Sequence, residues 1–103
     1  MSKKKVGLID YGVSYISSIT FALEKAGADV LVIESAEFSD SVDYLVLPGV
    51  GSFGKGMTNL NDRGLTSFIK SKVKDDVPLL GVCLGMQLLA TEGTEGGITP
   101  GLD

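Results

Sequence analysis

The apolar positions of this chain change period several times, and each change marks an expected element. Residues 5 to 10 (KVGLID) form a short apolar run of the kind buried in a sheet. From Tyr11 the spacing becomes helical. Ile16, Ile19, Leu23 and Ala26 share one face, Ser17, Ser18, Glu24 and Lys25 lie elsewhere, and Gly27 supplies a stop. A second strand follows at 29–33 (DVLVI), then a polar loop with Asp40 and Ser41, then a third strand at 43–47 (DYLVL) ended by Pro48. A glycine-rich loop is expected over 49–56. Residues 64–76 (GLTSFIKSKVKDD) put Leu65, Phe68, Ile69 and Val73 on one helical face, with the lysines largely off it. The run VPLLGVC (77–83) predicts a fourth strand, residues 84–91 begin another helix, and 93–103 show no period.

Apolar strands alternating with amphipathic helices predict an α/β fold, a parallel sheet with flanking helices whose site is built by loops at the carboxyl ends of the strands. Two such loops stand out, 48–56 and 82–86. A chain of 103 residues supports one domain at most, with fewer strands than such a fold normally has.

Composition removes several classes of function. Net charge is −4, and the basic residues gather only at Lys3–Lys5 and at Lys70, Lys72 and Lys74, a frayed end and a solvated helix face rather than a nucleic-acid footprint. No apolar run approaches the roughly 18 to 20 residues of a membrane span, and no signal-peptide core follows the N-terminal lysines, so a soluble, cytoplasmic protein is expected. One cysteine and no histidine leave no cysteine-based zinc site and no internal disulfide. Neither a metal nor a cofactor is expected.

The lone cysteine sits in Gly81-Val82-Cys83-Leu84-Gly85, the G-x-nucleophile-x-G form of a strand-to-helix elbow with cysteine in the serine position. Such a turn forces its central residue into a sparsely populated conformation, which requires small neighbours two positions away. The thiol then stands at a helix N-terminus, where the dipole and free N–H groups favour thiolate and can hold an oxyanion. The plain alternative is a buried structural cysteine. The second loop, LPGVGSFGKGM (47–57), exposes backbone at Gly49, Gly51, Gly54 and Gly56, enough for N–H groups to approach a carboxylate or a developing oxyanion. Loop geometry without any ligand remains the simpler reading of it. Gly49-x-x-x-x-Gly54-Lys55 also has phosphate-loop spacing and suggests a nucleotide-binding module. That match fails at Gly56, where a magnesium-binding hydroxyl is required, and little helix is expected after the lysine.

Taken together, IDYG (9–12), LPGVGSFGKGM (47–57) and GVCLGMQLL (81–89) resemble the class I (triad-type) glutamine amidotransferases, most of all the glutaminase subunit of imidazole glycerol phosphate synthase. The elbow alone is shared by many class I glutaminases, whereas the PGVGSFGKGM form points to the histidine-pathway subunit. The resemblance runs along nearly the whole chain and implies a flavodoxin-like fold, with residues 1–103 as the N-terminal portion of a single glutaminase domain. It implies that Cys83 attacks the side-chain amide of glutamine. The Cys83 and Leu84 N–H groups, with Gly49, Val50 and Gly51, would form the oxyanion region, and Gly51 and Gln87 would contact bound glutamine.

Family members usually carry glycine then asparagine where this chain has Ser14-Tyr15, which implies an altered turn at the start of the first helix. The family's catalytic histidine and glutamate come from a later segment that lies beyond Asp103. The chain is therefore expected to be inactive alone, and the acidic residues Asp10, Glu92 and Glu95 read as turn or surface groups. The implied partner is a (β/α)8-barrel cyclase subunit that receives the ammonia. A non-catalytic, self-associating half-domain joined through an open sheet edge is the alternative from another class.

Overall fold

The strands form where the apolar runs predict, although the fourth, expected over 77–83, is confined to Leu79–Gly81, and the helix expected over 84–91 ends at Gln87. The structure, a computed structural model, describes residues 3–38, 41–95 and 97–103, so Asp40 of the expected polar loop lies outside the described residues. Strands β1 (Lys5–Ile9), β2 (Asp29–Ile33), β3 (Tyr44–Leu47) and β4 (Leu79–Gly81) make one sheet in the order β2-β1-β3-β4, all neighbours parallel. Helix α1 (Ile16–Lys25) connects β1 to β2, and α2 (Phe53–Asp62) with α3 (Leu65–Lys74) connects β3 to β4. A four-residue helix α4 (Leu84–Gln87) follows β4, and the expected aperiodic tail contains a small antiparallel pair, β5 (Glu92–Gly93) and β6 (Thr99–Pro100). Among the described residues no helix is long and apolar enough to cross a membrane.

Period-two alternation divides the strands between two faces. Val6, Leu8 and Val46 turn toward α1 and meet Ile16, Ile19 and Leu23. Ile9, Ile33, Leu45 and Leu47 turn the other way, onto Phe53, Met57, Leu60, Leu65 and Ile69 of α2 and α3. The second face is the larger core. Helix α1 has no fully buried residue, whereas α2 buries four.

Helix α2 corrects the expectation of a loop through residue 56. Glycine at 54 and 56 lowers intrinsic helix propensity by about 1 kcal/mol each relative to alanine, so the local signal reads as loop. Tertiary burial overrides it. Phe53, Gly56, Met57 and Leu60 are all buried, at helical spacing, and Gly56 lets α2 lie against Leu84 and Leu88. The first turn is capped twice: the Ser52 hydroxyl accepts the Lys55 N–H at 3.4 Å, and the Glu95 carboxylate accepts the Phe53 N–H at 2.9 Å. The irregular stretch therefore shrinks to 48–52.

Leu60, fully buried between the sheet and the helices, anchors this face. Leu60→Ala is expected to destabilise the chain by about 2–5 kcal/mol, read as a lower denaturation midpoint with unchanged slope.

Candidate active site

The end of β3 and the start of α4 meet at the carboxyl edge of the sheet, as parallel topology dictates. The Val82 N–H donates to the Leu47 carbonyl at 2.9 Å, and the Leu84 N–H donates to the Gly49 carbonyl at 3.0 Å. These two bonds continue the β3–β4 ladder past the last strand residue. The approach is close enough to dictate sequence. A Cβ on Gly85 would run into the Leu47 carbonyl, and a Cβ on Gly49 would run into the Tyr11 hydroxyl.

Cys83 occupies the turn between β4 and α4 with φ 54° and ψ −123°, a conformation that costs a non-glycine residue about 1–3 kcal/mol. Its thiol is free and exposed. Gln87 lies one helical turn further on and is also exposed. The elbow expected from the glycine spacing is thus present in shape.

Its N–H groups are disposed otherwise than the sequence implies. Leu84 donates to Gly49, Gly85 to the Val82 carbonyl at 2.9 Å, and Met86 to the Cys83 carbonyl at 3.0 Å. Only the Cys83 N–H, among these described donors, meets no backbone carbonyl. Helix α4 is also a single turn, too short to sum a substantial macrodipole. The expectation of several free N–H groups backed by a helix dipole is corrected on both counts.

Two tyrosines hold the segment that faces the elbow. The buried Tyr11 hydroxyl donates to the Pro48 carbonyl at 2.5 Å. The Tyr15 hydroxyl accepts the Gly49 N–H at 2.8 Å and donates to the Gly49 carbonyl at 2.9 Å. Because the peptide is planar and trans, the Val50 N–H points opposite to the Gly49 carbonyl, away from the Leu84 N–H. The Val50 side chain is 58% exposed, and Gly51 turns with φ 98°.

The remaining expected residues fall on two concavities. Val50 and Gly51, with Tyr11, Ser14, Lys55 and Asn59, line a cavity of about 220 Å³. Gln87 lines an open depression of about 450 Å³ with Phe53, Glu92, Thr94 and Glu95. Cys83 lines neither.

The phosphate-loop rival, which already lacks a hydroxyl at Gly56, also fails on geometry, although the expectation of little helix after the lysine is corrected. Helix is abundant around Lys55, but it starts at Phe53, before Gly54 and Lys55 rather than at the lysine. The Gly49 N–H that a phosphate would need is taken by Tyr15, and the Gly56 N–H is taken by the Ser52 carbonyl at 3.1 Å. Among the described residues no group of three or more His, Cys, Asp or Glu side chains is placed to hold a metal ion.

Three residues of the site carried no such assignment in the sequence. Tyr11 lies inside IDYG but has no local pattern to announce its bond to Pro48. Tyr15 was visible only as a departure from glycine-asparagine. Glu95 read as a turn or surface group and is an exposed turn residue, which in addition caps α2 and shares a depression with Gln87. Asp10 does act as a turn group, its carboxylate accepting the Gly12 and Val13 N–H groups at 3.0 and 3.3 Å.

Burial first, and Tyr15 beside it second, raise the Tyr11 phenol well above its ordinary value of 10.0. A proton held more tightly in the folded than in the unfolded chain contributes stability that is complete below the unfolded value and lost as pH rises toward the folded one. Stability should therefore decline above about pH 10. Tyr11→Phe should flatten that part of the alkaline limb, and parallel slopes for the two chains in denaturant titrations at pH 9 to 11 would contradict the assignment.

The model of the family glutamine amidotransferase class-I matches residues 7–97. The imidazole glycerol phosphate synthase subunit HisH of Halalkalibacterium halodurans is 48% identical over 97 residues, which cover 94% of this chain and 45% of that protein. The subunit of the same name from Bacillus subtilis is 44% identical over 97 residues, again 94% of this chain and 46% of that protein. The chain thus spans about half the length of these relatives. Among solved structures, a putative peptidase E protein from Listeria monocytogenes superposes with a TM-score of 0.70 at 18% identity, covering 86% of this chain and 50% of that one. That likeness supports the parallel α/β fold.

Proposed function

Starting from a chain that belongs to the glutamine amidotransferase class-I family, we propose that Cys83 is the nucleophile of a glutaminase that supplies ammonia for histidine biosynthesis. The observation that carries this reading is the exposed thiol at φ 54° on a glycine-framed elbow, docked against the Gly49 segment by the Leu84 N–H.

The Cys83 sulfur attacks the side-chain amide carbon of glutamine, the carbon–nitrogen bond breaks, and ammonia leaves with a proton delivered by a general acid. Water then cleaves the γ-glutamyl thioester, giving glutamate and restoring the thiol. Charge on the carbonyl oxygen during both steps calls for N–H donors, supplied in this reading by Cys83, by Leu84 once the Gly49 carbonyl releases it, and by the Gly49–Gly51 segment, with Val50 between them, when it turns toward the elbow. Gln87, with Gly51, contacts the glutamine. Glu95, beside Gln87 in the 450 Å³ depression, offers a carboxylate to the substrate ammonium.

Proton transfer needs a base, and these 103 residues contain no histidine. In this reading the base is a histidine held by a glutamate outside them, and the ammonia passes to a (β/α)8-barrel cyclase subunit in the cytoplasm. No cofactor takes part.

A chloromethyl ketone bearing the α-amino acid end of glutamine tests the site directly. Alkylation of Cys83 that millimolar glutamine slows and Cys83→Ser abolishes, seen by mass spectrometry, is the expected result. Labelling indifferent to glutamine would overturn it. The 103-residue chain by itself is expected to acylate without measurable turnover, so glutamate release that Cys83→Ala abolishes would refute the assignment of the base.

One further observation favours a second reading, a self-associating half-domain. Among the described residues β4 pairs only with β3, and Leu80 and Tyr44 beside that edge are 59% and 41% exposed. Light scattering decides it: a concentration-independent monomer excludes association.

A further inference from the structure

Tyr15 has no role in the chemistry described above, yet its hydroxyl makes two bonds to one residue of the site. It accepts the Gly49 N–H at 2.8 Å and donates to the Gly49 carbonyl at 2.9 Å. A phenol has one proton to give and lone pairs to receive, and here both capacities are spent on Gly49. The two bonds hold the peptide planes on either side of Gly49 at once. The Gly49 carbonyl also accepts the Leu84 N–H at 3.0 Å, so two donors fill its two lone pairs.

We infer that Tyr15 is a positioning residue that latches the Gly49 peptide against the elbow and thereby withholds the Leu84 N–H from an oxyanion at Cys83. The inference rests on the reading of Cys83 as the acyl-forming nucleophile. Leu84 cannot donate fully to Gly49 and to a substrate oxygen together, so its availability depends on how firmly the Gly49 carbonyl is held. Tyr15 is the side chain that holds it. It sits at the N-cap of α1, its side chain makes no cap bond there, and it is partly buried, so the hydroxyl is directed to the site rather than to its own helix.

Tyr15→Phe keeps the ring and removes both bonds. Amide hydrogen exchange by NMR should show the Leu84 N–H exchanging about tenfold faster, with the Val82 N–H, one step back on the same ladder, unchanged. Loosening of the whole edge would speed both, and that result, or no change at Leu84, would overturn the latch. The second readout is a ratio of rates at Cys83. The glutamine-like chloromethyl ketone, whose carbonyl oxygen uses the freed N–H, should gain several-fold over iodoacetamide in the variant. An unchanged ratio would overturn the link from Tyr15 to the oxyanion donor. If the chloromethyl ketone fails to label Cys83 in both chains, the nucleophile reading fails, and with it the role in chemistry, while the exchange data still decide whether Tyr15 latches Gly49. Should Tyr15→Phe not fold, Tyr15→Asn, which keeps a polar group at the N-cap, permits the same comparisons.

Discussion

The backbone contact between the end of β3 and the elbow is the constraint on which the rest of this structure depends. Two N–H groups, of Val82 and Leu84, reach across to the carbonyls of Leu47 and Gly49. A side chain at Gly85 or Gly49 would obstruct the approach. Each bond contributes about 0.5–1.5 kcal/mol, but their geometric effect is larger than their energy, because together they bring the thiol-bearing turn and the Pro48–Gly51 segment into register. The same contact that assembles the site occupies one of the donors the proposed chemistry calls for.

The supports of that contact come from distant parts of the chain. Tyr11 and Tyr15, on the connection after β1, hold Pro48 and Gly49 by side chain. Glu95, from the turn between β5 and β6, caps α2 and so fixes the helix that follows the segment. Gly56 of α2 then lies against Leu84 and Leu88. The candidate site is thereby tied to β1, β3, β4, α2 and the C-terminal hairpin through a few bonds, although its proposed chemistry centres on one sulfur.

A separate feature of the sheet is the side that β4 leaves open. A groove of about 640 Å³ runs between α3 and β4, lined by Ile69, Val73, Val77, Leu79, Leu89 and Leu102. A smaller one of about 280 Å³ lies on the opposite face, beside Tyr44, Val46 and Leu80. A parallel sheet is ordinarily covered on both faces, and here α1 packs on β2 and meets Val6, Leu8 and Val46. The relatives that this chain matches are about twice its length.

Local pattern determined the four strands, helices α1 and α3, and the elbow, because each depends on a period or spacing carried by adjacent residues. Val6, Leu8, Ile19, Leu23, Leu65 and Ile69 fall where alternation and helical spacing put them. Only the tertiary structure decided α2. Its two glycines argue for a loop, and the burial of Phe53, Met57 and Leu60 that outweighs them exists only once the sheet is formed. The same holds for the site's donors. That Leu84 donates to Gly49 and that a single phenol holds both ends of Gly49 are contacts between residues more than thirty positions apart, which no local pattern records. Sequence by itself thus determined which thiol is presented and on what turn, whereas the availability of the groups around it was decided by backbone packing across the sheet.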